Sequence, residues 1–220
     1  MTNPSPAAVD LYWLPLGAGG HFVRLNGRIY EAAAAWRDKR APRDLYHSAL
    51  VVTAPEGHFV IEQAWPIPDR DGAKRGVVAH GPVGACWAGT LRALRSEIRR
   101  WRNGVIADID EAVESPQRLS DDPLVAQRVL DLVPESPTPV WGRDDLDTGE
   151  MWNSNSLISW LIMRSGLDID AVQPPAGGRA PGWRAGVVVA RRERAQFPTQ
   201  KPSGDLSQVR VAPRPGIFAE

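Results

Sequence analysis

The stretch YHSALVVTAPEGHFVIEQAW, residues 46–65, decides the fold. Two apolar runs, YHSALVVTA and HFVIEQAW, flank Pro55-Glu56-Gly57. Proline and glycine between two such runs signal a β-hairpin. Both runs carry apolar residues on both faces, so they predict strands inside a sheet rather than at its edge. Side chains alternate faces along a strand. A two-residue loop at Glu56-Gly57, or a four-residue loop at 54–57, brings Glu62 to the face of His47. A three-residue loop at 55–57 brings Gln63 there instead. Glu-Gly suits a tight turn, which favours Glu62. A carboxylate inside a buried strand needs a hydrogen-bonding partner, and His47 is a candidate.

Outward from the hairpin, LYWLPL (11–16) reads as a short strand entering a turn at GAGG (17–20). That turn lacks the Lys and Ser/Thr of a phosphate loop and does not match GxGxxG. Good helix formers predict a helix over 30–40, and a short strand is expected near 76–79. Trp87, Leu91, Leu94, Ile98 and Trp101 are spaced 4, 3, 4 and 3, which predicts one face of a helix ending at Asn103-Gly104. A second helix is expected from Ser120, with Asp121, Asp122 and Pro123 in its first turn, stopping before Pro134. Residues 134–150 read as a loop. MWNSNSLISWLI (151–162) opens a third helix, about 154–165, closed by Gly166. A last strand is expected over 186–190. The expected class is α+β, a small antiparallel sheet packed against helices. One domain spans 1–197, with 87–133 as a helical insertion, and 198–220 thins into a poorly packed tail.

Composition narrows the function. Of 220 residues, 43% are apolar and 24% charged, ordinary for a soluble globular protein. Lys and Arg number 26 and so do Asp and Glu, so bulk charge favours neither nucleic acid nor an anionic membrane. No apolar run approaches a membrane span, and the first residues lack the basic-then-apolar order of a signal peptide. A cytoplasmic protein is the expectation. One cysteine, Cys86, excludes an internal disulfide, and four scattered histidines without HxxxH spacing argue against zinc. No cofactor is expected. Nine tryptophans, spread from Trp13 to Trp183, point to a dense core.

Three polar residues stand where chemistry would need them. Ser154 opens a helix whose free N–H groups and dipole stabilise an oxyanion. His47 opens the first hairpin strand, and Glu62 lies in the second. A nucleophile, a base and an orienting acid is the general requirement of nucleophilic catalysis, in any chain order. The same Ser154 is also a natural helix cap, and Glu62 has many arginines to pair with. Cys86 precedes a predicted helix, yet cysteine is as often a small buried hydrophobe. The Asp144, Asp145, Asp147 and Glu150 cluster lacks a complete calcium-loop pattern.

A His-bearing strand, a second strand with a polar partner and a later Asn–nucleophile pair opening a helix resemble the circularly permuted branch of the papain-like superfamily. That branch contains NlpC-type amidases and lecithin–retinol acyltransferase-like proteins. The resemblance covers about residues 11–66 and 150–165, on His47, Glu62 and Asn153-Ser154, with Ser where the family has Cys. It implies Ser154 as nucleophile, His47 as base and Glu62 as orienting acid, with Asn153, Gln63 and Trp152 lining the site. Two functions follow. One is a serine-type hydrolase or acyltransferase acting on an amide or ester of a small molecule, lipid or peptide. The other is an inactive scaffold that binds a partner through its cleft or through a face bearing Arg92, Arg95 and Arg99.

Overall fold

The hairpin turn sets the sheet. Ala54 pairs with Gly57 across Pro55-Glu56, so the loop has two residues, one position earlier than Glu56-Gly57. Gly57 takes φ +136°, a conformation that side chains with a Cβ rarely adopt. The flanking strands are β2 (Tyr46–Ala54) and β3 (Gly57–Ala64). In the computed structural model, which describes residues 7–17, 31–32, 34–37, 39–65 and 75–196, they occupy the middle of a six-stranded sheet. The other strands are β1 (Ala8–Pro15), β4 (Val77–Pro82), β5 (Arg95–Arg102) and β6 (Gln117–Ser120). The order is β4-β5-β3-β2-β1-β6, and every neighbouring pair is antiparallel. The α+β class read from the sequence is therefore the class observed.

Strand alternation divides the core in two. Val9, Leu11 and Trp13, then Tyr46, Leu50 and Val52, then Ile61 and Ile98, face the helices. Those helices are α1 (Pro123–Leu132), α2 (Ser154–Ser165) and α3 (Trp183–Gln196). The opposite face carries Leu14, Ala49, Val51 and Val60, closed over by Ile106 with Tyr12, Trp101 and Ile109. Two covered faces explain why the hairpin strands are apolar on both sides.

Helix ends follow local chemistry. Asn153 caps α2 by accepting from the N–H groups of Asn155 and Ser156, and Ser156 reciprocates with the Asn153 N–H. Gly166 closes the helix at φ +90°. In α1 the cap is Asp122, which accepts from Leu124 N–H at 2.8 Å; Ser120, the expected cap, belongs to β6.

Two elements depart from expectation. Residues 87–103 are not one helix but two short 3-10 turns, Cys86–Thr90 and Arg92–Leu94, followed by β5. The 4-3-4-3 pattern is coincidental: Trp87 is 70% and Leu91 53% exposed. β5 has an equally good period of two, with Ile98 toward the helices and Trp101 toward the other face. Pairing on both sides, to β3 and β4, decides for the strand. Residues 87–133, expected to be helical, are thus mixed. The expected strand over 186–190 is the middle of α3, because Ala185, Val189 and Ala190 bury one helical face in the core. Gly186 lets α3 approach α2, since a Cβ there would stand 1.9 Å from the Ser156 carbonyl oxygen.

Residues 31–32 and 34–37 are helical as expected; the start of that helix at Tyr30, most of the 17–20 turn and the tail from 198 lie outside the described residues. Tryptophans do not all serve the core. Trp13, Trp152 and Trp160 are buried, whereas Trp36, Trp65 and Trp87 are exposed.

Replacing Gly186 by Ala should cost about 3 kcal/mol, because backbone rather than a flexible side chain must move. Urea unfolding followed by circular dichroism measures it; an unchanged midpoint would show that the two helices are not locked at this contact.

Candidate functional site

The start of α2 meets the sheet where β2 begins. Asn155 Nδ2 donates to the carbonyls of Tyr46 at 2.9 Å and Pro181 at 2.8 Å, and its Oδ1 accepts from Ser48 Oγ at 2.8 Å. Asn153 Nδ2 also donates to Pro181 O, and Ser156 Oγ donates to Gly182 O at 2.7 Å. One turn on, Ser159 Oγ donates to Trp183 O at 2.7 Å. The polar run that opens this helix therefore ties it to β2 and to the entry of α3. Within the run 153–156, and among the described residues, Ser154 alone has no hydrogen bond to its side chain, and it is almost wholly buried.

The expected catalytic pair does not form. Ser48 points to α2, so His47, its neighbour along the strand, points to the other face. There it stands opposite Leu14, on the face of Ala49 and Val51. Burial pushes its imidazole down to about pH 4, against an opposing pull from Asp108. Ser154 lies on the helix side of the sheet, and no hydrogen bond joins it to a titratable side chain among the described residues. The residues that face each other across the β2–α2 contact are Ser48 and Asn155, one position further along each segment.

Glu62 does share the face of His47, as strand parity predicts. Leu50 pairs with Ile61, so Ala49 stands opposite Glu62. Its partner is Arg99, however, at 2.8 Å. Arg99 is 1% exposed and also binds Glu97 at 2.7 Å and the Trp65 carbonyl at 3.1 Å. Gln63 turns to the helix face, where Nε2 donates to Ser96 Oγ at 3.0 Å and Oε1 has no partner among the described residues. Trp152 is buried, and its Nε1 has no partner among the described residues. The expected arginine stripe is absent. Arg99 is buried, and Arg95 is turned onto the Gly89 and Thr90 carbonyls at 2.6 and 3.2 Å.

A cavity of about 890 Å³ opens beside this junction, lined by Leu16, Glu31, Arg43, Asp44, Tyr46 and Gly177 among others. Glu31 anchors its wall. Burial would raise its carboxyl, but hydrogen bonds from Arg40 and the Arg43 N–H, with the charge of Arg179, hold it below the usual range. Sequence reasoning passed over Glu31 because its partners lie at 40, 43 and 179. Asp144, the head of the acidic cluster, is occupied by the Thr148 and Gly149 N–H groups, both at 2.8 Å. Among the described residues, no group of three or more His, Cys, Asp or Glu could hold a metal.

No family model, no curated protein and no solved structure matches the chain. Among the described residues the site offers a polar junction with no general base bonded to Ser154, and a cleft with an ion-paired wall. No helix among the described residues is long and apolar enough to cross a membrane.

Two measurements separate structural from chemical roles here. Asn155→Ala should destabilise by about 3 kcal/mol, since it strands the Ser48 hydroxyl and the Tyr46 carbonyl, while Ser154→Ala should stay within about 0.5 kcal/mol. Chemical denaturation of both variants reads the contrast. His47 has a folded value of about 4 against about 6.5 when unfolded, so its neutral form favours the fold. Stability should be full above about pH 6.5 and fall toward pH 4, by up to about 3 kcal/mol, because the unfolded chain takes up the proton first. The wild-type minus His47→Leu difference in unfolding free energy, followed from pH 7 to 4, isolates this part; a flat difference would place His47 in water.

Proposed function

We propose that this chain is a non-catalytic binding protein on a permuted papain-like scaffold. The observation that carries the reading is the Ser48–Asn155 hydrogen bond across the β2–α2 junction. It fills the place where the resemblance calls for a histidine facing a nucleophile. It also commits β2 to a register that turns His47 away. A serine hydroxyl without a base is a poor nucleophile. Glu62, the proposed orienting acid, is held by Arg99 rather than by an imidazole.

The adjoining cleft supplies the binding surface. Leu16 and Tyr46 offer apolar contact, while Arg43 and Asp44 offer opposite charges at its edge. That combination suits a small molecule or a short peptide segment with an apolar body and a polar end.

A serine-type hydrolase or acyltransferase is the competing reading, favoured by the uncommitted Ser154 hydroxyl at a helix start. A fluorophosphonate probe decides between them. The binding reading expects no adduct at Ser154 by peptide mass spectrometry. In a Cys86→Ser background, Ser154→Cys should react with iodoacetamide no faster than an ordinary buried thiol. An adduct on Ser154 that disappears in His47→Ala would overturn the reading and require a register in which the two side chains meet.

A further inference from the structure

The cleft gathers two carboxylates and a phenol, and among the described residues neither carboxylate is paired with a cation. Tyr46 lines the cleft and is 7% exposed. Its ring lies against Gly178, where a Cβ would stand 2.4 Å from Cε2. A buried phenol ordinarily finds a hydrogen-bond partner, yet among the described residues the Tyr46 hydroxyl has none. Asp44, two positions earlier, lines the same cleft. Glu114 reaches it at Ala176, whose N–H it accepts at 3.3 Å. The backbone around Glu114 is tied to β1: Val113 N–H donates to Trp13 O at 2.9 Å, and Trp13 N–H donates to Ser115 Oγ at 2.8 Å. Burial raises the Tyr46 phenol, and the charges of Asp44 and Glu114 add to the rise, so both carboxylates lie within electrostatic reach of the hydroxyl.

The neighbouring ion pairs identify the missing group. Glu31, on the same wall, takes both Arg40 and Arg179. Arg43 is then the single cation among the described lining residues, and it pairs with neither Asp44 nor Glu114. A metal ion is a poor occupant, since no group of three or more His, Cys, Asp or Glu stands together among the described residues. Two carboxylates beside a hydroxyl that can accept instead suit an ammonium, a compact cation with three donors. Leu16, Ala32 and Pro42 supply an apolar wall for a short alkyl body. We propose that the cleft binds a primary ammonium compound, its cation held by Asp44, Glu114 and the Tyr46 hydroxyl and its alkyl body laid along Leu16 and Pro42. The inference rests on this cleft being the binding surface, and it names the ligand class.

Amide NMR of the full chain at about pH 7, titrated with hexylamine, 1-hexanol or hexanoate, tests it. Hexylamine, which is charged at that pH, should shift the amides of Asp44, Leu45, Tyr46, Ala176 and Gly177. It should bind about tenfold or more tightly than hexanol or hexanoate, and salt should weaken it. Asp44→Asn with Glu114→Gln should bring hexylamine down to the affinity of hexanol. Asp131→Asn, which removes a carboxylate on α1, should leave hexylamine binding unchanged. Circular dichroism confirms that the variants keep the fold. Hexanol or hexanoate binding as tightly as hexylamine would keep the cleft as the binding surface and overturn the ammonium assignment. So would hexylamine affinity that the double variant retains, or an equal loss in Asp131→Asn. No shift with any of the three probes would overturn the cleft as the binding surface as well.

Discussion

The Asn155 side chain sits between the start of β2, the first turn of α2 and the turn that leads into α3, and all of its hydrogen-bonding groups are in use there. A buried amide is tolerable only when satisfied. This one is satisfied by two segments far apart in the chain, at 46–48 and at 181. It therefore holds β2 in a single register against the helix layer, and the register decides which of two successive residues, His47 or Ser48, looks at α2. A one-residue slip would exchange every side chain on β2 between the faces. The two apolar cores, one on each face, oppose the same slip.

The other costly buried groups are resolved in the same manner. Arg99 joins Glu62 on the neighbouring strand and Glu97 on its own, on the face away from the helices. Glu31 gathers Arg40, Arg179 and the Arg43 N–H beside the cleft. Charges removed from water are stable only with good geometry and further hydrogen bonds. Both clusters meet that condition, and both use residues that a search for catalytic acids and bases would select. Their partners assign them to architecture. What remains for function is surface: a cleft beside the β2–α2 junction, and a braced turn between β4 and β5 on which Trp87 and Leu91 stand exposed.

Much of the fold was legible because its signals are local. The hairpin at 54–57, the cap at Asn153 and the stop at Gly166 depend on residues within a turn of one another. Even the shared face of His47 and Glu62 followed from the length of a two-residue loop, although the loop itself lies one position earlier than expected. The failures were of one kind. Residues 95–102 and 183–196 have patterns that fit either period, and their neighbours decided. β5 is a strand because β3 and β4 bond it on both sides. α3 is a helix because Gly186 lets it lie against the Ser156 backbone.

The candidate site divides along the same line. By itself the sequence determined that a polar cluster opens a buried helix, that Glu62 needs a partner, and that His47 stands at the mouth of a central strand. Only the tertiary structure decided that the partner is Arg99, and that Ser48 rather than His47 meets α2. The physical reason is range. Caps and turns are settled by atoms a few bonds apart. The face a side chain shows to a distant helix is settled by strand register, which is fixed by long-range contacts such as that between Ser48 and Asn155.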